Sequence, residues 1–286
     1  MDFLRPETWQ EALDYKAERP DAVPIAGGTD VMVEINFDRR RPAALLDLTR
    51  IPELARWERD EDSIRVGANV TYTDVIQALG ADLPGLAMAS RTVGSPQIRN
   101  RGTIAGNLGA ASPAGDAHPI LLACGATVEA ESVRGVRLIP AAAFYLGVKR
   151  HALEPGELIR AVHVPVNQGP QQFSKIGTRN AMVIAVCSFG LALDVTAQRV
   201  GTGIGSAAPT PRQAPDAEDF VSQALPWESR DPIPEGVAAR FGELVSQAAS
   251  PIDDVRGSAA YRRHALALMA RRNLAWAWKE YQCASR

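Results

Sequence analysis

Two glycine-centred segments have the composition of an anion cradle: Pro24-Ile25-Ala26-Gly27-Gly28-Thr29-Asp30-Val31 and Thr103-Ile104-Ala105-Gly106-Asn107. Glycine lets a backbone take φ > 0 and bring its N–H groups toward one point with no Cβ in the way. Successive inward N–H groups form a nest for a phosphate-like anion, and a following helix start adds a positive dipole end. Positive φ is therefore expected at Gly28 and Gly106. Taken alone, the first segment reads more readily as a plain strand–helix turn. A matched pair roughly 75 residues apart, able to clamp one diphosphate, is a less common feature. Asp116 lies nine residues beyond Asn107 and could accept from a ribose hydroxyl.

Other patterns lead elsewhere. Gly203-Ile204-Gly205-Ser206-Ala207-Ala208 fits G-x-G-x-x-A, but Pro209-Thr210-Pro211 follows where a dinucleotide fingerprint needs a helix. That segment reads as a bent strand end. Cys124, Cys187 and Cys283 are isolated, with no C-x-x-C, and the four histidines make no ligand-spaced pair. Zinc ribbons and iron–sulfur clusters are excluded on that count, no metal site is expected, and any redox chemistry falls to an organic cofactor. Ser112, Asp116 and His118 are too close in sequence, with Pro113 between them, for a hydrolytic triad. Lys plus Arg numbers 31 against 33 for Asp plus Glu, which argues against a nucleic-acid partner. No apolar run is long enough to span a membrane, and Met1–Pro6 lacks the marks of a signal peptide. A soluble, cytoplasmic protein is expected.

The elements that must carry these loops begin with a helix from Trp9, capped by Thr8 with Glu11. Short strands are expected at 22–26, 43–48, 63–68 and 126–130. Helices are expected from Val31, capped by Thr29 or Asp30, from Tyr72, capped by Thr71, and over 120–123. Beyond about 170, antiparallel strands are expected at 173–175, 183–194 and 200–208, a loop over 209–236, and helices at 237–249 and 257–281. In the last helix Leu266, Met269, Ala270, Leu274, Ala277 and Tyr281 share a face, with Arg271, Arg272 and Lys279 away from it.

Together with the first loop, the run Ser95-Pro96-Gln97-Ile98-Arg99-Asn100-Arg101-Gly102-Thr103-Ile104-Ala105-Gly106-Asn107, then Ser112-Pro113 and Asp116, resembles the FAD-binding subunit of the molybdenum hydroxylases. This is the xanthine dehydrogenase and carbon monoxide dehydrogenase family, whose flavin domain is similar to that of vanillyl-alcohol oxidase. The likeness extends to Phe173–Arg179 and Asp253–Arg263. It implies an α+β fold: a two-part FAD-binding domain over 1–168 (a small α/β part over 1–58, a larger α+β part over 59–168), then a C-terminal domain of antiparallel strands plus helices over 169–286. It implies that residues 24–31 and 103–107 hold the FAD diphosphate and that Asp116 contacts the ribose. Val93, Gly94, Ile159 and Lys175 would line the flavin or adenine side, with Lys175 a candidate to stabilise negative charge on reduced flavin. Ala105 stands where the family more often has glycine. No catalytic side chain is implied, since FAD carries the chemistry.

By the same resemblance the partners are a molybdenum-cofactor-binding large subunit and an iron–sulfur small subunit, in a heterotrimer or its dimer. Electrons would enter from the iron–sulfur clusters and leave to an external acceptor. The exposed apolar side chains of the second domain, Trp276 and Trp278 among them, are candidate partner contacts, with core packing expected for at least one. An alternative is a free-standing FAD-dependent reductase on the related fold, although the arginines and serine that such an enzyme needs find no match here.

Overall fold

A computed structural model describes residues 1–166 and 169–284 of the chain. The first unit contains β1 (Asp2–Leu4), α1 (Trp9–Glu18), β2 (Val23–Ile25), α2 (Val31–Asn36) and β3 (Ala44–Asp47). Its strands form a parallel sheet in the order β1-β3-β2. Thr8 and Glu11 make the reciprocal capping box that starts α1. The expected cap on α2 does not form. Asp30 occupies the cap position but is itself helical (φ −112°, ψ −53°) and makes no capping bond, because an effective cap residue must be extended for its side chain to reach back.

The second unit follows with β4 (Trp57–Arg59), β5 (Ser63–Gly67), α3 (Tyr72–Ala78), α4 (Pro84–Arg91), α5 (Pro96–Arg99), α6 (Ile104–Ala110), α7 (His118–Ala123), β6 (Thr127–Ser132) and β7 (Gly135–Pro140). It continues through α8 (Ala141–Phe144), β8 (Tyr145–Gly147), β9 (Arg150–His151) and β10 (Leu158–Pro165). An antiparallel sheet runs β4-β5-β10-β6-β7, so the strand latest in sequence lies at its centre. The division expected after residue 58 falls within β4. The one expected after 168 lies at residues 167–168, outside the described residues.

The third unit is β11 (Gln171–Ile176), β12 (Cys187–Asp194), β13 (Arg199–Gly205), α9 (Pro215–Ala224), α10 (Val237–Ala248) and α11 (Ala259–Cys283). Its antiparallel sheet, in the order β11-β12-β13, is buried on both faces. Phe189, Leu191 and Leu193 point into a core shared with α10 and α11, while Gly190 and Ala192 point at the second unit. Two expectations need correction here. The 209–236 segment is not all loop: Pro215 opens α9 at a position that needs no N–H, Asp216 and Glu218 suit its first turn, and Ala217 and Val221 are buried. The strand expected over 183–194 starts only at Cys187, because its partner β11 ends at Ile176, which pairs with Cys187, and leaves 183–186 without a strand partner. On α11 all six face residues are buried, as is Trp278, whereas Trp276 is exposed.

Helix α7 lies directly on the third unit's sheet. A Cβ at Gly203 would overlap the Pro119 carbonyl, one at Gly201 the Ala123 carbonyl, and one at Gly190 the Pro119 backbone. The glycines of the false dinucleotide pattern thus serve packing, and the strand ends at Ser206 (φ +60°) with no helix after it. Gly203→Ala should cost about 3 kcal/mol or more, since the obstacle is backbone that cannot rotate away. Gly236→Ala, at φ +81° with open space around it, should cost only about 1–2 kcal/mol. Denaturant unfolding compares them, and equal losses would show that the close approach of α7 is dispensable.

Candidate functional site

The two glycine loops form one surface because Gly27 has no side chain. A Cβ there would overlap the Arg101 carbonyl, so the 26–30 turn rests on the chain entering the second loop. Gly28 has φ +72°, as the first loop requires. Tyr72 donates its N–H to the Gly102 carbonyl (3.0 Å), which fixes the second loop against the start of α3. Thr103 caps α6, its hydroxyl accepting from the Gly106 N–H at 2.9 Å. Gly106 departs from expectation. It lies in the first turn of α6 rather than at positive φ, and a Cβ on it would meet only the Thr103 hydroxyl. Gly106 and Gly109 are both exposed on one face of α6, three residues apart, leaving a bare strip of helix backbone.

Next to this strip lies a cavity of ≈ 260 Å³. Val93, Gly94, Asn107 and Asp116 line it, together with Tyr72, Ala114, Gly115 and Met182–Ile184. Lys175 stands behind Asp116. Its ammonium donates to Asp116 Oδ2 at 2.6 Å and to the Thr92 carbonyl at 3.1 Å, and both side chains of the pair are nearly buried. Lys175 is therefore not a solvent-facing lysine, although β11 is an edge strand. Ile159 lies in β10, where a Cβ on Gly109 of α6 would just touch it, and it is not among the cavity's lining residues. Pro24 and Ile25 end β2, Ala26–Gly28 form the turn, and Thr29–Val31 lead into α2.

Burial pushes the Asp116 carboxyl up to about 6, against the opposing pull of Lys175 and Thr92. Burial also raises the Tyr72 hydroxyl well above its ordinary range, with Asp116 and Asp30 adding to the shift. It drives His118, at the start of α7, down to about 3, so that imidazole is neutral and sits 2.8 Å from the Tyr145 hydroxyl. Two acceptors on lining residues, Asn107 Oδ1 and Asp116 Oδ1, are buried and have no donor. Such atoms are costly unless a donor supplies them. This acceptor pair therefore suits a ligand with hydroxyl or N–H groups at the cavity and a close-lying anionic link along the glycine strip.

Several lining residues carry no motif of their own. Tyr72 is held by the Thr71–Asp74 capping box, which is readable in the sequence. Val183 and Ile184 read as strand and Met182 carries no reading, and only the third unit's position over Asp116 makes them part of the site.

Residues 1–167 match the family described as the FAD binding domain in molybdopterin dehydrogenase, and residues 172–277 match the CO dehydrogenase flavoprotein C-terminal domain. The nicotine 6-hydroxylase medium subunit of Paenarthrobacter nicotinovorans is 30% identical over 279 residues, 95% of each chain. The nicotinate dehydrogenase FAD-subunit of Eubacterium barkeri is 36% identical over 204 residues, 68% of this chain and 69% of that one. Among solved structures, reconstituted CO dehydrogenase from Oligotropha carboxidovorans superposes with a TM-score of 0.89 at 27% identity, covering 98% of both chains. No helix among the described residues is long and apolar enough to cross a membrane. A paired-glycine cradle, a cavity with unsatisfied acceptors and a match over nearly the whole chain converge: the chain belongs to the family of FAD-binding subunits of xanthine dehydrogenase-like molybdenum hydroxylases.

Proposed function

We propose that this chain is the electron-transfer flavoprotein of a multi-subunit molybdenum hydroxylase, working with a molybdenum-cofactor-binding large subunit and an iron–sulfur small subunit. It takes electrons from the small subunit's clusters and passes them to an external acceptor. The observation that carries the reading is the joining of both glycine loops at Gly27 and Arg101, beside a cavity with two acceptors lacking donors. FAD, when bound, supplies the exchange between one-electron and two-electron carriers. The chain's own residues bind and orient it. The backbone of 24–31 and 103–107 takes the diphosphate, and Asp116 Oδ1 and Asn107 Oδ1 accept from its hydroxyl or N–H groups. Lys175 keeps Asp116 ionised and aimed by holding its other oxygen. Val93, Gly94 and Met182–Ile184 keep water from the remaining cavity wall.

Purification from the native host under gentle lysis tests the assembly. Co-elution with chains carrying iron and molybdenum is the expected result, and a lone FAD-bearing monomer would favour the free-standing reductase. For the cradle, Gly28→Val should weaken FAD binding at least about fivefold from backbone strain of about 1–2 kcal/mol alone. Gly106→Val should do so by filling the bare strip of α6. Both should stay folded by circular dichroism, and unchanged flavin affinity in both would misplace the diphosphate.

The Asp116 pair gives a pH dependence. As pH falls through about 6 the carboxylate takes a proton, the Lys175 interaction is lost, and Oδ1 is no longer a charged acceptor. FAD affinity should therefore be level above pH 7 and fall below about pH 6. Because the folded-state value lies above the ordinary carboxylate range, this group by itself makes the empty chain less stable as pH rises from about 4 to 6. Titration of FAD binding against pH checks the point. Asp116→Asn should bind more weakly and lose the step, and a step that persists in that variant would assign it to another group.

A further inference from the structure

The segment Asp253–Arg263 takes no part in the cavity or the glycine loops, yet it contains one of the most buried charges in the chain. Arg262, four residues into α11, is 2% exposed. A buried guanidinium has five N–H groups to satisfy, and where they go defines its role. Its Nη1 donates to the Val186 carbonyl (2.9 Å) and to the Ser206 carbonyl, and its Nη2 donates to Asp254. Its Nε is buried without a partner.

Both carbonyls belong to chain that leads to the cavity wall. Val186 closes the loop that follows β11, donating its N–H to the Ile176 carbonyl at 2.8 Å, and Met182–Ile184 of that loop line the cavity. Ser206 is the less usual element. It is a buried non-glycine residue held at φ +60°, and all its polar groups are engaged. Its N–H donates to the Pro113 carbonyl (2.7 Å), immediately before the lining residues Ala114–Asp116. Its hydroxyl donates to the Ala185 carbonyl (2.7 Å), and its own carbonyl accepts from Arg262. One guanidinium and one strained serine thus fasten two walls of the cavity that are about 70 residues apart in sequence.

We infer that Arg262 is a positioning residue for the FAD cavity, acting through Ser206 and Val186 to set the 112–116 segment against the 182–186 segment. The inference rests on the reading that this cavity receives part of FAD. Arg262 touches neither the cavity nor the glycine loops, so its effect on the ligand is indirect. Asp254 keeps the guanidinium in register from the rim and is itself held by the Arg256 N–H at 2.8 Å.

The test is hydrogen exchange by mass spectrometry on the full chain, with and without FAD, beside flavin affinity. Arg262→Met should raise exchange in 112–116 and 182–186 at least about tenfold, as expected for loss of charge-assisted bonds to carbonyls. Exchange across β6 and β7 should stay unchanged, and FAD affinity should fall by a similar factor. Arg262→Lys, which can serve one carbonyl but not both in the same geometry, should fall between Met and wild type. Should Arg262→Met not fold, Ser206→Gly keeps the positive φ while removing the hydroxyl bond to Ala185, and it should loosen 182–186. A uniform rise in exchange over the whole chain, or wild-type exchange in both segments, would overturn the inference. A wild-type chain that binds no FAD would remove the functional reading instead, leaving the exchange result to stand by itself.

Discussion

The bare face of one three-stranded sheet is the constraint on which the rest depends. Gly190, Gly201 and Gly203 present backbone alone to α7, and only backbone fits at that distance. Sheet and helix are therefore set at one separation, with no side-chain layer to repack. The start of α7 carries Asp116, Ala117 and His118, and the neighbouring strand carries Lys175 on the same face as Gly190. Seating the helix places a carboxylate from one unit within 2.6 Å of an ammonium from the other. The same face uses Gln171, whose Oε1 accepts from the Gly85 N–H at 3.0 Å, to hold the start of α4. Domain packing and site assembly are one event here.

The Lys175–Asp116 pair is better understood as a consequence of that packing than as its cause. Desolvation is the largest influence on Asp116 and works against its ionisation, so the attraction of Lys175 offsets only part of what burial costs. A nearby apolar pair would hold the two units together at least as well. What an apolar pair could not do is leave Oδ1 as an ionised acceptor at a cavity wall. The neighbouring Asn107 Oδ1 is in the same position without a charge. The site thus keeps two costly groups that only a donor-bearing ligand relieves, and part of the binding free energy comes from ending that cost.

What could be read from the sequence follows from the range of the forces involved. Turns, caps and glycine loops are set by residues a few positions apart, so Thr8, the Thr71–Asp74 helix start and the Gly27–Gly28 turn were identifiable, whereas Thr103 reads as part of a loop and caps a helix instead. The resemblance supplied the family and the two-part fold. The central strand β10 escaped notice because its partners β5 and β6 come from distant segments and its burial exists only once they meet. α9 was hidden in a stretch whose prolines and acids suggest loop, although Pro215, Asp216 and Glu218 also suit a helix start. Gly106 was expected at positive φ but lies in the first turn of a regular helix, with only the Thr103 hydroxyl close to where a Cβ would stand. The false G-x-G-x-x-A pattern shows the converse, since a glycine required by packing looks the same in sequence as one required by a phosphate.

The cavity itself illustrates why local reading stops short. Its wall includes the turn after α6, the start of α3 and the loop after β11, which lie far apart in sequence. Each ends in backbone groups that need partners from elsewhere: Gly102 is satisfied by Tyr72, Pro113 by Ser206, and Val186 by Arg262. Buried carbonyls must be paired; Pro113 is paired from the other unit, whereas Gly102 and Val186 are paired by sequence-distant groups of their own unit. A residue such as Arg262 therefore bears on the site without approaching it, because it completes hydrogen bonding that the wall cannot complete alone. The motif around it shows no link to the cavity in the sequence, since Asp254 aside its partners are backbone carbonyl oxygens, which every residue has.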